Sequence, residues 1–157
     1  MTRLTESVWD YPRPPRLEPA RHHLKVVFFG KTLAETRDGF RVLETSSPPT
    51  YYFPPNHVLR DCLRPNANHS LCEFKGRANY WDVVVDGRVS EMAAWSYPSP
   101  SEHYGPLTDY FAFYPGRAEA CFVDGERVAA QTGDFYGGWI TSWLTGPFKG
   151  APGSEAW

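Results

Sequence analysis

The residues best suited to chemistry crowd into one short stretch, CEFKGRANYWDVVVDG, residues 72–87. It sets a thiol, Cys72, and an amine, Lys75, just ahead of two large rings, Tyr80 and Trp81. A cysteine attacks as its thiolate, which a neighbouring cation or imidazole must support. Lys75 and His69 each stand three positions from Cys72. A lysine at a Gly76 corner can reach back to an anionic or carbonyl-bearing ligand. Glu44, set among apolar neighbours, can serve as a partly buried acid or base. Cys72, Lys75 and Glu44 are therefore the candidate catalytic groups, with Glu44 as proton donor or acceptor and Lys75 as the anion-holding cation. Each also has a plainer role: packing for the thiol, a solvated turn for the lysine, and an ion pair between two hairpins for Glu44 with Lys75.

Aromatic walls with a few polar anchors make a small-molecule pocket. Tyr52, Tyr80, Trp95 and Tyr97 supply such walls, and Glu44 and Lys75 supply the anchors, so these six are the candidate ligand-binding residues. Alternation along the strand after Gly76 sends Tyr80 and Asp82 to one face and Trp81, Val83 and Val85 to the other. Trp81 is thus expected in the core and Tyr80 beside the ligand. Asp82 and Asp86 share a strand face, but Asp86 belongs to a DG turn and shapes it.

These groups need a scaffold, and the composition says which kind. Aromatics reach 16%, and fifteen prolines and thirteen glycines interrupt the chain too often for long helices. Short β-favouring runs recur instead: LKVVFFG with TLAETR, FRVLETS, TYYFPP, MAAWSYP, DYFAFYPG and EACFVDG. Three segments echo one another, VVFFGKTLAET, VVVDGRVSEMA and ACFVDGERVAAQT, as repeated hairpins would. One short helix is expected over 57–64, capped by Asn56, striped by Val58, Leu59, Cys62 and Leu63, and stopped by Pro65. The reading is a mainly β, compact antiparallel domain with one short helix. Residues 1–22 form a proline-rich arm, and 23–157 a single β-rich domain whose tail carries Trp139, Trp143, Phe148 and Trp157 back onto the sheet.

At 157 residues the chain can bury a core without a staple. A net charge of −2, with its cations dispersed, argues against nucleic acid as a partner. Cys62, Cys72 and Cys121 include no Cys-x-x-Cys pair, so neither zinc nor dithiol redox chemistry is expected and free thiols in the cytoplasm are. The opening residues lack a signal-peptide core, and no segment approaches the about 20 apolar residues that span a bilayer. The expected protein is soluble and cytoplasmic, a monomer or a homodimer, with a small-molecule partner and no cofactor or metal that the residues themselves name.

The ordered string ETSSPPTYYFP, CEFKGRANYWDVVVDG, AAWSYPSP, DYFAFYPGRAEACFVDGERV and GGWITSWLTGPFKGAPGSEAW resembles the bacterial family known as domain of unknown function 427. The resemblance runs from about Lys25 to the end of the sequence. It covers Glu44, Tyr52, Phe53, Pro54, Cys72, Lys75, Gly76, Ala78, Tyr80, Trp81, Trp95, Tyr97, Pro98, Phe113 and Tyr114. It implies a sheet-on-sheet architecture similar to Mss4 and methionine sulfoxide reductase B. That group often binds zinc through paired Cys-x-x-Cys motifs, which this sequence lacks. The family also carries a nucleotidyltransferase label, a chemistry that needs metal-holding carboxylates and a phosphate cradle. No Walker-type loop and no Asp-x-Asp pair is present. The favoured function is small-molecule binding, with or without turnover, anchored by Glu44 and Lys75; the alternatives are a non-catalytic protein-interaction module and a nucleotidyltransferase.

Overall fold

The computed structural model describes residues 5–133 and 135–157. In chain order the strands are β1 (Glu6–Ser7), β2 (Arg16–Pro19), β3 (Leu24–Phe28), β4 (Lys31–Thr36), β5 (Phe40–Leu43), β6 (Thr50–Tyr52), β7 (Leu63–Cys72) and β8 (Gly76–Val85). There follow β9 (Arg88–Ser96), β10 (Phe111–Phe113), β11 (Ala120–Val123), β12 (Glu126–Arg127), β13 (Ala129–Ala130), β14 (Trp139–Ile140) and β15 (Leu144–Thr145). The protein is mainly β, built from several antiparallel sheets joined by short 3-10 turns.

The three echoing segments are three hairpins. Phe29-Gly30 closes β3–β4, Asp86-Gly87 closes β8–β9, and Asp124-Gly125 closes β11–β12. In each pair both residues sit at positive φ, the pattern of a two-residue type I′ turn, whose twist matches the strands it joins. The sequence similarity among them thus follows from one turn geometry used three times.

Two sheets of four strands dominate, ordered β10-β9-β8-β7 and β12-β11-β3-β4, with a three-stranded sheet β2-β5-β6 beside them. Mutual hydrogen bonds between Phe53 and Phe111, at 2.8 and 3.0 Å, tie the end of the third sheet to the edge of the first. Alternating residues of β3, Leu24, Val26 and Phe28, enter a main core with Phe53, Val83, Val85, Phe113 and Trp139. Trp139 is fully buried, lies 5.1 Å from Tyr51, and donates its indole N–H to Phe113 O at 3.0 Å. A second buried cluster forms on the other face of β8 and β9 from Val42, Tyr52, Ala78, Tyr80, Trp95, Tyr97 and Tyr114.

Residues 57–64 do not form the expected α-helix. The segment holds two separate 3-10 turns, Pro55–His57 and Arg60–Cys62, and β7 starts at Leu63 and runs through Pro65. No continuous stripe results: Val58 is buried, whereas Leu59 is exposed. The reason is tertiary. Val58 bridges to Ala34 and the Leu59 amide donates to Leu33 O at 2.9 Å, so neighbouring β4 takes the hydrogen bonds a helix would have kept. Pro65 is tolerated in a strand because β7 is a sheet edge and its register breaks after that residue. Among the described residues, no helix is long and apolar enough to cross a membrane.

Candidate functional site

The second aromatic cluster does not fill its own volume. A cavity of about 320 Å³ opens between β6, the β7–β8 hairpin tip and the end of β9. Its lining includes Glu44, Tyr52, Cys72, Lys75, Tyr80, Trp95 and Tyr97, so the structure brings all of the sequence-derived candidates to one place.

Strand alternation explains the walls. Ala78 and Tyr80 point to the cavity from β8, while Val83 and Val85 point to the main core after the β8–β9 register shifts between Trp81 and Val83. Trp95 pairs with Tyr80 across that ladder and packs on Tyr114 with ring centroids 4.6 Å apart. Trp81, on the opposite face, packs against the main core only in part; its ring meets Phe111 edge-on at 5.6 Å and its N–H donates to Ser96 Oγ at 3.0 Å. Asp82 takes no part in the cavity, since its Oδ1 accepts from Asn66 Nδ2 at 2.8 Å and from the Met92 amide at 2.9 Å. Met92, at positive φ, is the irregular residue of β9, and the carboxylate satisfies its displaced N–H. Asp86 sits in its hairpin turn.

Lys75 is placed by the hairpin tip. Cys72 pairs with Gly76, whose φ of +109° suits glycine, and Ser101 clamps the tip by donating its amide to Lys75 O at 3.0 Å and its hydroxyl to Phe74 O at 2.6 Å. The side chain is consequently driven inward, leaving Lys75 only 8% exposed. Its ammonium lies 6.0 Å from the Tyr97 ring centroid, on a cavity wall it shares with the Cys72 thiol. Burial alone would depress the lysine pKa, but Tyr52, Cys72 and Glu44 outweigh it and hold the pKa above the ordinary value.

Glu44 reaches the cavity rim, yet its direct ion pair is with Arg13, Nε to Oε2 at 3.2 Å. Lys75 therefore feels Glu44 only at longer range, and the two do not form the ion pair between hairpins that their positions in the sequence allowed. Cys72 is half-buried and lines the cavity. Cys62 packs partly against the main core, and Cys121 is buried, which pushes its thiol pKa up.

Trp95 Nε1 donates to Tyr52 Oη at 3.4 Å, the Tyr52 and Tyr97 ring centroids lie 6.4 Å apart, and Tyr80 donates to Ser70 Oγ at 2.9 Å. Burial, and then the nearby Tyr52 and Cys72, push the Tyr97 pKa well up, so it remains a phenol.

Sequence reasoning missed the far wall. Gln131, Phe135, Tyr136, Gly137 and Lys149 line it, together with Tyr114, whose hydroxyl donates to Phe135 O at 3.0 Å. Gly137 is required there because a Cβ would lie 2.3 Å from the Trp95 ring. The Gly137-Gly138 pair ahead of Trp139 was the signal that two backbones approach closely at this point. A second concavity of about 570 Å³ lies under Trp81 and is bounded by Arg60, Asp61 and Asp109, but no buried charge faces it.

A family model described as "Domain of unknown function (DUF427)" matches residues 16–124, more than half of the chain. The chain belongs to this family. The matched span starts at Arg16, ahead of the expected Lys25, and stops at Asp124, so it omits the tail that supplies the far wall. No curated protein matches the sequence.

Proposed function

We propose that the protein binds a small organic molecule in the aromatic cavity, with Lys75 as its anchoring cation and Glu44 at the rim. One observation carries this reading: a nearly buried ammonium lines the cavity, and among the described residues no ion pair joins it to a carboxylate. A buried ammonium without a contacting counter-charge is commonly retained where a ligand supplies the partner. The cavity volume and its aromatic lining fit the usual range for small-molecule sites. If the bound molecule is also transformed, the reactive groups beside it are the Cys72 thiol, Lys75 and Glu44. Among the described residues no three His, Cys, Asp or Glu side chains are grouped to hold a metal ion, which favours the binding reading over nucleotidyl transfer.

A thermal-shift screen against a metabolite library, including nucleotides with magnesium, tests the proposal. A ligand at 100 times its Kd adds about 2.7 kcal/mol, a rise of roughly 5–10 °C for a chain of this size. The expected result is a hit that disappears in Lys75→Ala and weakens less in Glu44→Gln, whose side chain is engaged by Arg13. A magnesium-dependent nucleotide hit would replace this reading with the transferase one. Silence across the library would replace it with the interaction module.

A further inference from the structure

We propose that the cavity selects a singly charged organic anion, a monocarboxylate on a flat apolar body, and discriminates against phosphate esters. The inference rests on reading the cavity as a ligand site and adds the class of ligand.

The charges facing the cavity set the sign and the number. Among the described residues two cations line it, Lys75 and Lys149, but the Lys149 ammonium donates to Trp157 O at 3.1 Å and lies 5.5 Å from the Tyr136 ring centroid. Lys75 is the cation held inside. Two carboxylates among the described residues, Glu44 and Glu73, also line the cavity. One ammonium can neutralise one negative charge. A second charge on the same group would meet the fields of Glu44 and Glu73 without a further cation to offset them.

The donors set the geometry. Tyr52 accepts from Trp95 Nε1, and the Tyr52 and Tyr97 rings lie side by side with centroids 6.4 Å apart, so both phenols border the cavity as donors. Together with Lys75 they offer a carboxylate hydrogen-bond donors for its two oxygens. A phosphate ester presents three terminal oxygens and usually meets an arginine fork or a row of backbone amides. Among the described residues no arginine lines this cavity. The pKa directions agree with this donor set: Lys75 is held as ammonium and Tyr97 as phenol.

The walls set the body. Trp95 stands edge-on to Tyr52 and is stacked at a tilt on Tyr114, so the ring faces that border the space favour a flat, apolar moiety.

Isothermal titration of the full chain at pH 7.5 with 2-naphthoate, 2-naphthamide and 2-naphthyl phosphate tests the proposal, because the three share one body and differ in charge. The expected result is saturable binding of the naphthoate, with amide and phosphate each at least tenfold weaker. Lys75→Met abolishes the naphthoate preference, Lys75→Arg retains it, and Tyr97→Phe weakens naphthoate several-fold; melting curves of each variant establish that it is folded. Equal binding of the amide, or tighter binding of the phosphate, overturns charge selection while leaving a ligand site in place. No binding of any probe to the folded protein overturns the flat-anion inference, and the metabolite screen then decides the cavity reading on its own.

Discussion

Lys75 shows at the level of one residue how a buried charge is held. Its ammonium has left water for a site with aromatic rings and a thiol, and Tyr52, Cys72 and Glu44 outweigh that desolvation, since the pKa is held above the ordinary value. Lys75→Met removes the desolvation cost together with these offsets and is therefore expected to leave the melting temperature of the ligand-free protein within roughly 2–4 °C of wild type, about 1 kcal/mol in a chain of this length, while removing the ligand response. A calorimetric melt checks this, and a clear fall in Tm would show that the ammonium is a structural fastener. The position of Lys75 on the corner before Gly76 was readable from residue types. That it turns inward was not, because the clamp that turns it comes from Ser101, far along the chain.

At the level of elements, the cavity exists because two backbones approach closely. Gly137 runs against the Trp95 ring, and Gly138 runs against Pro48 and Gln131, whose Oε1 accepts the Gly138 amide at 3.0 Å. Gly137→Ala would place a methyl 2.3 Å from the indole, so Trp95 or the far wall must shift. The expected outcome is a loss of about 1–3 kcal/mol in denaturant-derived stability, as for other overpacked sites, with altered tryptophan fluorescence. Gly116→Ala is the contrasting control: its Cβ meets nothing closer than Ala130 Cβ at 3.6 Å, and its effect should be small. Two of the hairpins at this scale were legible, since DG steps flanked by β-favouring runs state their turn type locally. The stripe over 57–64 misled because its amides found better partners in β4.

Across the whole molecule, the first and last described segments meet beside the cavity, where Arg13 holds Glu44 and Trp157 O accepts from Lys149. β1 lies parallel to β15, the Trp9 and Trp157 rings meet edge-on at 5.1 Å, and Tyr104 donates its hydroxyl to Pro15 O at 2.6 Å. Glu6 fastens this region through a fork to Arg41, both oxygens at 3.1 Å, and accepts from the Tyr11 hydroxyl at 2.6 Å. Burial would raise the Glu6 pKa, but Arg41 and Tyr11 outweigh it, and the carboxyl lies below its ordinary 4.5. A depressed folded pKa means that the contribution is present above the unfolded value and is lost as pH falls through the folded one. Glu6→Gln should thus lower stability by about 1–3 kcal/mol at pH 7, with the gap from wild type closing as the pH falls below 4.5. Parallel urea titrations at pH 7 and pH 3 check it; a gap that persists at pH 3 would assign the effect to packing instead.

Much of the candidate site was determined by the sequence alone: the β class, the recurring hairpins, and the division of Tyr80 and Trp81 between two faces, because strand period and turn chemistry are local properties. The tertiary structure decided the partners. Glu44 faces Arg13 rather than Lys75, Lys75 shares a cavity wall with Cys72, and the far wall comes from residues beyond 130. Charge pairing and cavity closure depend on which distant segments pack together, and that is settled by the burial of the whole chain, not by the spacing of any one motif.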